Sequence, residues 1–164
     1  YGRGGPIPGY ASTETVRRLR QRFGYVFAGQ DGYPTICTLD TLDRLKIVSG
    51  FGVEWCQMDH GNGETTGYRF EADGKSIAYA TDFSAISDEM VETFEDVDIL
   101  VSDCLRRDPH PTHAHLAMAI ELGERAGAKR LVLSHLDKSM DYRSVVDEVP
   151  DFVTVGYDGL EMAA

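Results

Sequence analysis

Three segments place a metal-ligating residue type directly after a run that reads as a β-strand: Asp59-His60-Gly61, Thr81-Asp82-Phe83 and Ser134-His135-Leu136. Strand ends that face loops are where α/β folds collect catalytic groups. Imidazole and carboxylate together suit Zn²⁺, Mn²⁺ or Fe²⁺, and a carboxylate can bridge two cations while offsetting part of their repulsion. Spacing alone leaves a plainer reading open, in which each residue caps, turns or satisfies a local polar group.

A fourth segment, Arg106-Arg107-Asp108-Pro109-His110-Pro111-Thr112-His113-Ala114-His115, concentrates three histidines and two arginines ahead of an expected helix. Backbone N–H groups at a helix N-terminus favour an anion, so a phosphate is one expected occupant, with Arg107, His110 and His113 around it. A Pro-stiffened loop whose Thr112 caps the helix accounts for the same composition. Local metal chelation by His110, His113 and His115 fits less well, because Pro111 and the turn interrupt the cluster. Gly61-Asn62-Gly63 reads as a turn, Asp103 as a residue that orders the following loop, and Cys104 as packing. With neither a G-x-S-x-G elbow nor a P-loop, covalent serine hydrolysis and nucleoside triphosphatase chemistry lack support, which leaves hydrolysis by metal-bound water.

These residues need strands to carry them. Ile7 to Ala11 reads as extended, followed by a helix capped at Ser12 or Thr13, with Val16, Leu19 and Phe23 on one face and Gly24 as its stop. Tyr25 to Leu39 shows no steady period and is expected to be a loop that helps shape the pocket. Short β segments follow at 45–48, 53–58, 67–71 and 76–80, with Asp73-Gly74 as a type I′ hairpin signal. Then come a helix over 87–94 capped by Ser87, a buried strand over 97–102, a helix starting at Thr112 or His113, and a strand over 130–134. Residues 152–155 and 160–162 are expected to close the sheet. The pattern predicts mixed α/β or α+β layering in one domain, 1–164, with no linker.

Composition narrows the function. The 164 residues are 42% hydrophobic, enough for one real core. A formal charge of −11 argues against broad attraction to long nucleic acid or anionic lipid, so an anionic substrate needs positive charge supplied locally, as bound metals do. Three widely spaced cysteines without a CxxC point to neither a disulfide framework nor a thiolate zinc site, and a reducing cytoplasm is the simplest compartment. No stretch reaches the ~20 apolar residues of a membrane span.

Asp59-His60-Gly61 through Gly67-Tyr68-Arg69-Phe70, Tyr79-Ala80-Thr81-Asp82, His110-Pro111-Thr112-His113, and Leu133-Ser134-His135-Leu136 with Met140-Asp141-Tyr142 form an ordered set. In that order they resemble the metallo-β-lactamase-fold phosphodiesterases, specifically the phosphoribosyl cyclic-phosphate phosphodiesterase branch of the bacterial phosphonate pathway. The resemblance implies the C-terminal part of an αββα sandwich with two divalent ions, Zn or Mn, at one edge. It implies that His60 binds one metal, Asp82 bridges both and His135 binds the second, while His113 contacts the scissile phosphate or protonates the leaving oxygen. The implied activity is cleavage of a small cyclic or nucleotide-like phosphodiester through a metal-bridging hydroxide.

The family's HxHxDH motif is not in this sequence, and His113-Ala114-His115 does not replace it, since no Asp-His follows. Together with the non-Met start, this favours a fragment of a longer protein, inactive alone. One β-layer is then expected to expose apolar surface and to favour association, with a homodimer as one form. Two alternatives stand beside the enzyme: a tRNA 3′-processing nuclease, for which no basic arm is evident, and a binding domain that keeps the ligands as relics.

Overall fold

A computed structural model describes residues 4–30 and 32–164. The backbone divides into two compact units, 1–48 and 49–164.

In the first unit, β1 (Ile7–Ala11) pairs in parallel with β2 (Cys37–Thr41), and helix α1 (Thr13–Ala28) connects them. The Ser12 hydroxyl caps α1 by accepting from the Thr15 amide. Glu14 in the first turn pairs with Arg17 and Arg18. The helix does not stop at Gly24: it kinks at Phe23, whose φ/ψ of −129°/33° leaves the helical region, and resumes to Ala28. Much of the segment expected to be a loop is therefore helix at one end and strand at the other, and Asp31 within it lies outside the described residues. A 3₁₀ turn (Leu42–Arg44) and the two-residue strand β3 (Ile47–Val48) complete this unit.

The second unit carries strands β4 (Phe51–His60), β5 (Gly63–Ala72), β6 (Lys75–Ala80), β7 (Ile99–Asp103), β8 (Leu131–Ser134) and β9 (Val153–Val155), adjacent in that order. The chain runs as an antiparallel meander through β4, β5 and β6, then in parallel from β6 to β9. Asp73 and Gly74 both have positive φ, 52° and 71°, as the expected I′ turn between β5 and β6 requires. Helices α2 (Asp88–Thr93), α3 (Leu116–Arg125) and α4 (Tyr142–Val146) form the crossovers that parallel strands need.

Burial alternates along β6, where Ser76, Ala78 and Ala80 are buried while Ile77 and Tyr79 are exposed. Of these, Ala78 and Ala80 join Cys56, Met58, Leu100, Leu131 and Leu133 in one core with Met90 of α2, Leu122 of α3 and Val145 of α4. Full burial of side chains such as Phe94 and Leu100 contributes about 1.5–3 kcal/mol each. On the opposite face, exposed Ile77 and Tyr79 lie beside their cross-strand partners Phe70 and Tyr68, which makes an apolar surface.

Two further expectations change. Helix α3 begins at Leu116 with His115 at its N-cap, because the preceding loop is tied by Leu105 N–H to Ala114 O and Leu116 N–H to Arg106 O, each 2.9 Å. Its first amide is thus used, and His113 lies in the loop before it. Residues 160–162 form no strand.

Candidate metal centre

The topology dictates where the chemistry collects. Strands β6, β7 and β8 are parallel, and β4 runs in the same direction as β6 because both are antiparallel to β5. Their C-terminal ends therefore share one sheet edge. His60 ends β4, Asp82 follows β6, Asp103 ends β7 and His135 follows β8. The loop after β7 adds His110 and His113.

The side chains meet around His113. Its ring lies 4.8 Å from that of His60, 4.8 Å from that of His135 and 5.3 Å from that of His110, centroid to centroid. Asp82 Oδ1 lies 3.4 Å from His135 Nε2 and 3.5 Å from His113 Nδ1. Two overlapping groups have ligand atoms mutually within 4.8 Å: His60, Asp82 and His113, and Asp103, His113 and His135.

Backbone geometry marks the same positions. Among the described non-glycine residues, left-handed φ occurs at Ser49, Asp73, Asp82, Asp96 and His135. Asp73 is explained by its hairpin, whereas Asp82 and His135, at φ 63° and 61°, hold costly conformations immediately after core strands. Such strain persists where surrounding structure enforces it, and it gathers at functional sites.

Asp103 is the residue that the sequence reading undervalued. Its carboxylate is fully buried, and Oδ2 accepts from His113 Nδ1 at 2.9 Å, Ala114 N at 3.2 Å and Phe83 N at 3.3 Å. The acid therefore fastens the Asp82 loop and the His113 loop to the end of β7. Because a carboxylate only accepts, His113 carries its proton on Nδ1 and directs Nε2 away from Asp103. Oδ1 has no partner among the described residues. The available signal was its position: an acid ending the apolar strand Ile99-Leu100-Val101-Ser102, in the same place on β7 as His60, Asp82 and His135 hold on their strands.

Arg107 requires a correction. Its guanidinium binds Glu148 through Nε and Nη2, both at 2.8 Å, and also the Ser144 hydroxyl, the Ser139 carbonyl and Met140 Sδ. Every donor is engaged, so Arg107 braces its loop against α4 and has none left for a substrate. The pairing lowers the Glu148 carboxyl below its ordinary range and raises Arg107 further. His110 accepts from Thr112 N–H through Nδ1 at 3.3 Å, and burial followed by the Arg106 charge lowers its pKa. His115 lies at the α3 N-cap with a buried Nδ1 that has no partner among the described residues. Burial raises the Cys104 thiol to about 12 and the Cys56 thiol to about 11, in keeping with packing roles.

The donor set fits a divalent transition metal: two imidazoles and a carboxylate at one edge, with one of the histidines tied through a ring nitrogen to a backbone carbonyl, His60 Nδ1 to Thr112 O at 2.6 Å.

Residues 2–136 match the family described as Beta-lactamase superfamily domain. The chain belongs to that superfamily. Among solved structures it is similar to a diphosphatase of the PhnP family, with 31% identity and a TM-score of 0.80 over 96% of this chain and 57% of that one. It is also similar in fold to the metallo-beta-lactamase fold protein YhfI from Bacillus subtilis, at 18% identity and TM-score 0.75, covering 94% and 64% of the two chains. The Zn²⁺-bound PqqB from Methylobacterium extorquens is a further match in fold, at 20% identity and TM-score 0.69, covering 97% and 65%. The chain thus spans less than two thirds of the length of each. Comparison with curated protein sequences gives no significant match. The likeness supports the PhnP branch of the superfamily, and the fold is that of a metallo-β-lactamase sheet with its helices.

Proposed function

We propose that this chain supplies His60, Asp82 and His135 to a two-metal site that hydrolyses a small phosphodiester or diphosphate. The observation that carries the reading is the convergence of these three residues with His113 at one sheet edge, backed by the buried Asp103. Similarity to a PhnP-family diphosphatase supports a phosphoryl substrate. The remaining ligands would come from residues outside this chain.

Zinc or manganese held there would lower the pKa of water and neutralise charge on the phosphoryl group. The chain's own residues do the rest. His60 offers Nε2 as a ligand, because Nδ1 is committed to the Thr112 carbonyl. Asp82 lies between His113 and His135, where its carboxylate can serve both sides of the centre. His113, 15% exposed and oriented by Asp103, directs Nε2 to hold or deliver a proton at the leaving oxygen. His110 lines the same approach and can donate to a phosphate oxygen through Nε2, since Nδ1 is taken.

A net charge of −11 makes a small substrate the better fit than long RNA. No helix among the described residues is long and apolar enough to cross a membrane. A cytoplasmic setting agrees with three unpaired cysteines, and self-association through the open sheet face is part of the proposal. The test is hydrolysis of bis(p-nitrophenyl) phosphate by the intact protein with added Mn²⁺ or Zn²⁺. Metal-dependent turnover supports the reading, and its absence with both metals turns the chain into a binding domain.

A further inference from the structure

The loop that carries His113 also reaches His60. His60 Nδ1 lies 2.6 Å from the Thr112 carbonyl oxygen, and since a carbonyl can only accept, Nδ1 holds the proton and Nε2 the free lone pair. The next residue, Gly61, is the first central position of the β4–β5 hairpin, with φ 62°. Glycine takes that conformation without steric cost. A second requirement falls on the same residue: a Cβ at Gly61 would lie 2.5 Å from Thr112 Cγ2, so the Thr112 side chain would have to shift to admit it.

The loop is held from its far side too. Ala114 N–H donates to Asp103, Leu105 N–H donates to Ala114 O, and Thr112 N–H donates to His110 Nδ1. Thr112 is therefore seated between these anchors and the bare backbone of Gly61.

We propose that the contact between Gly61 and Thr112 is a positioning device for the metal centre: the Thr112 carbonyl, seated on Gly61, locks His60 in the tautomer that presents Nε2. This rests on the reading of His60 as a ligand. Because one loop bears both the carbonyl and His113, its seating registers the ligand histidine and the proton-holding histidine together.

The tautomer is measurable without metal. In ¹⁵N-histidine NMR of the intact, metal-free protein, with His60 assigned by a His60→Gln variant, the wild type shows His60 as a single Nδ1–H tautomer. Gly61→Ala mixes the tautomers and weakens zinc binding, read by competition with a chromophoric chelator, by about 10–100-fold. Adding Thr112→Ser removes Cγ2 yet keeps the hydroxyl that meets His110 at 3.3 Å, and it restores both readouts. Backbone strain of a left-handed alanine would persist in the double variant, so recovery isolates the contact. An unchanged tautomer in Gly61→Ala, or no recovery with Thr112→Ser, overturns the proposal. A wild-type protein that binds no zinc sinks the ligand reading instead, and the tautomer result still decides the device.

Discussion

The Asp103 carboxylate offers a test in which structure and chemistry separate. Oδ2 serves two backbone amides and the His113 ring from inside the protein. Asp103→Ala strands all three donors, and at about 1–3 kcal/mol for each unsatisfied buried group the loss is about 3–9 kcal/mol. That is a large part of a typical stability of about 5–15 kcal/mol. Asp103→Asn keeps an oxygen in place and loses only the charge-assisted share, about 1–1.5 kcal/mol for each of the three bonds, from the difference between charged and neutral hydrogen bonds. It also removes the negative charge that favours protonated His113, so turnover should fall on the order of 100-fold, the lower range for a proton-transfer residue. Urea unfolding and bis(p-nitrophenyl) phosphate hydrolysis measure the two effects. Full turnover in Asp103→Asn, or a cost below about 1 kcal/mol for Asp103→Ala, would refute the reasoning.

Other consequences follow from the same geometry. Asp82→Ala should lose metal and activity together, whereas His113→Ala should cut turnover far more than metal content; equal metal loss in the two variants contradicts this division. The Asp98 carboxyl is lowered to about 2, first by its hydrogen bond from Lys129 and then by the Ser76 amide. With the folded pKa depressed, its stabilisation is complete above the ordinary value of 3.8 and is lost as pH falls toward 2. Asp98→Asn should flatten acid unfolding in that window, and an unaltered acid limb would count against it. Replacing exposed Ile77 and Tyr79 with aspartate should shift this chain from associated to monomeric in sedimentation; wild-type chain that is already a monodisperse monomer disproves the open-face argument.

Much of this arrangement is readable from residue order. His60, Asp82 and His135 each stand at or just beyond an expected strand, and the fold brings them to one edge by running those strands the same way. Asp73-Gly74 names its own turn. What stays hidden depends on partners distant in sequence. Arg107 looks like an anion-binding residue beside His110, and only the folded chain brings Glu148 to occupy it. Asp103 looks like a loop residue until three donors from 83, 113 and 114 are seen to converge on it. The start of α3 is displaced because hydrogen bonds between 105–106 and 114–116 hold the His113 segment out of the helix, a pairing that local propensity does not encode. Gly61 reads as a turn residue, and its steric role under Thr112 appears only in three dimensions.

Elemental analysis after dialysis against metal-free buffer tests the central claim most directly. The account predicts about two transition-metal ions per intact protein, falling sharply in Asp82→Ala. An intact wild-type protein without bound metal, and with no uptake on adding Zn²⁺ or Mn²⁺, would contradict it.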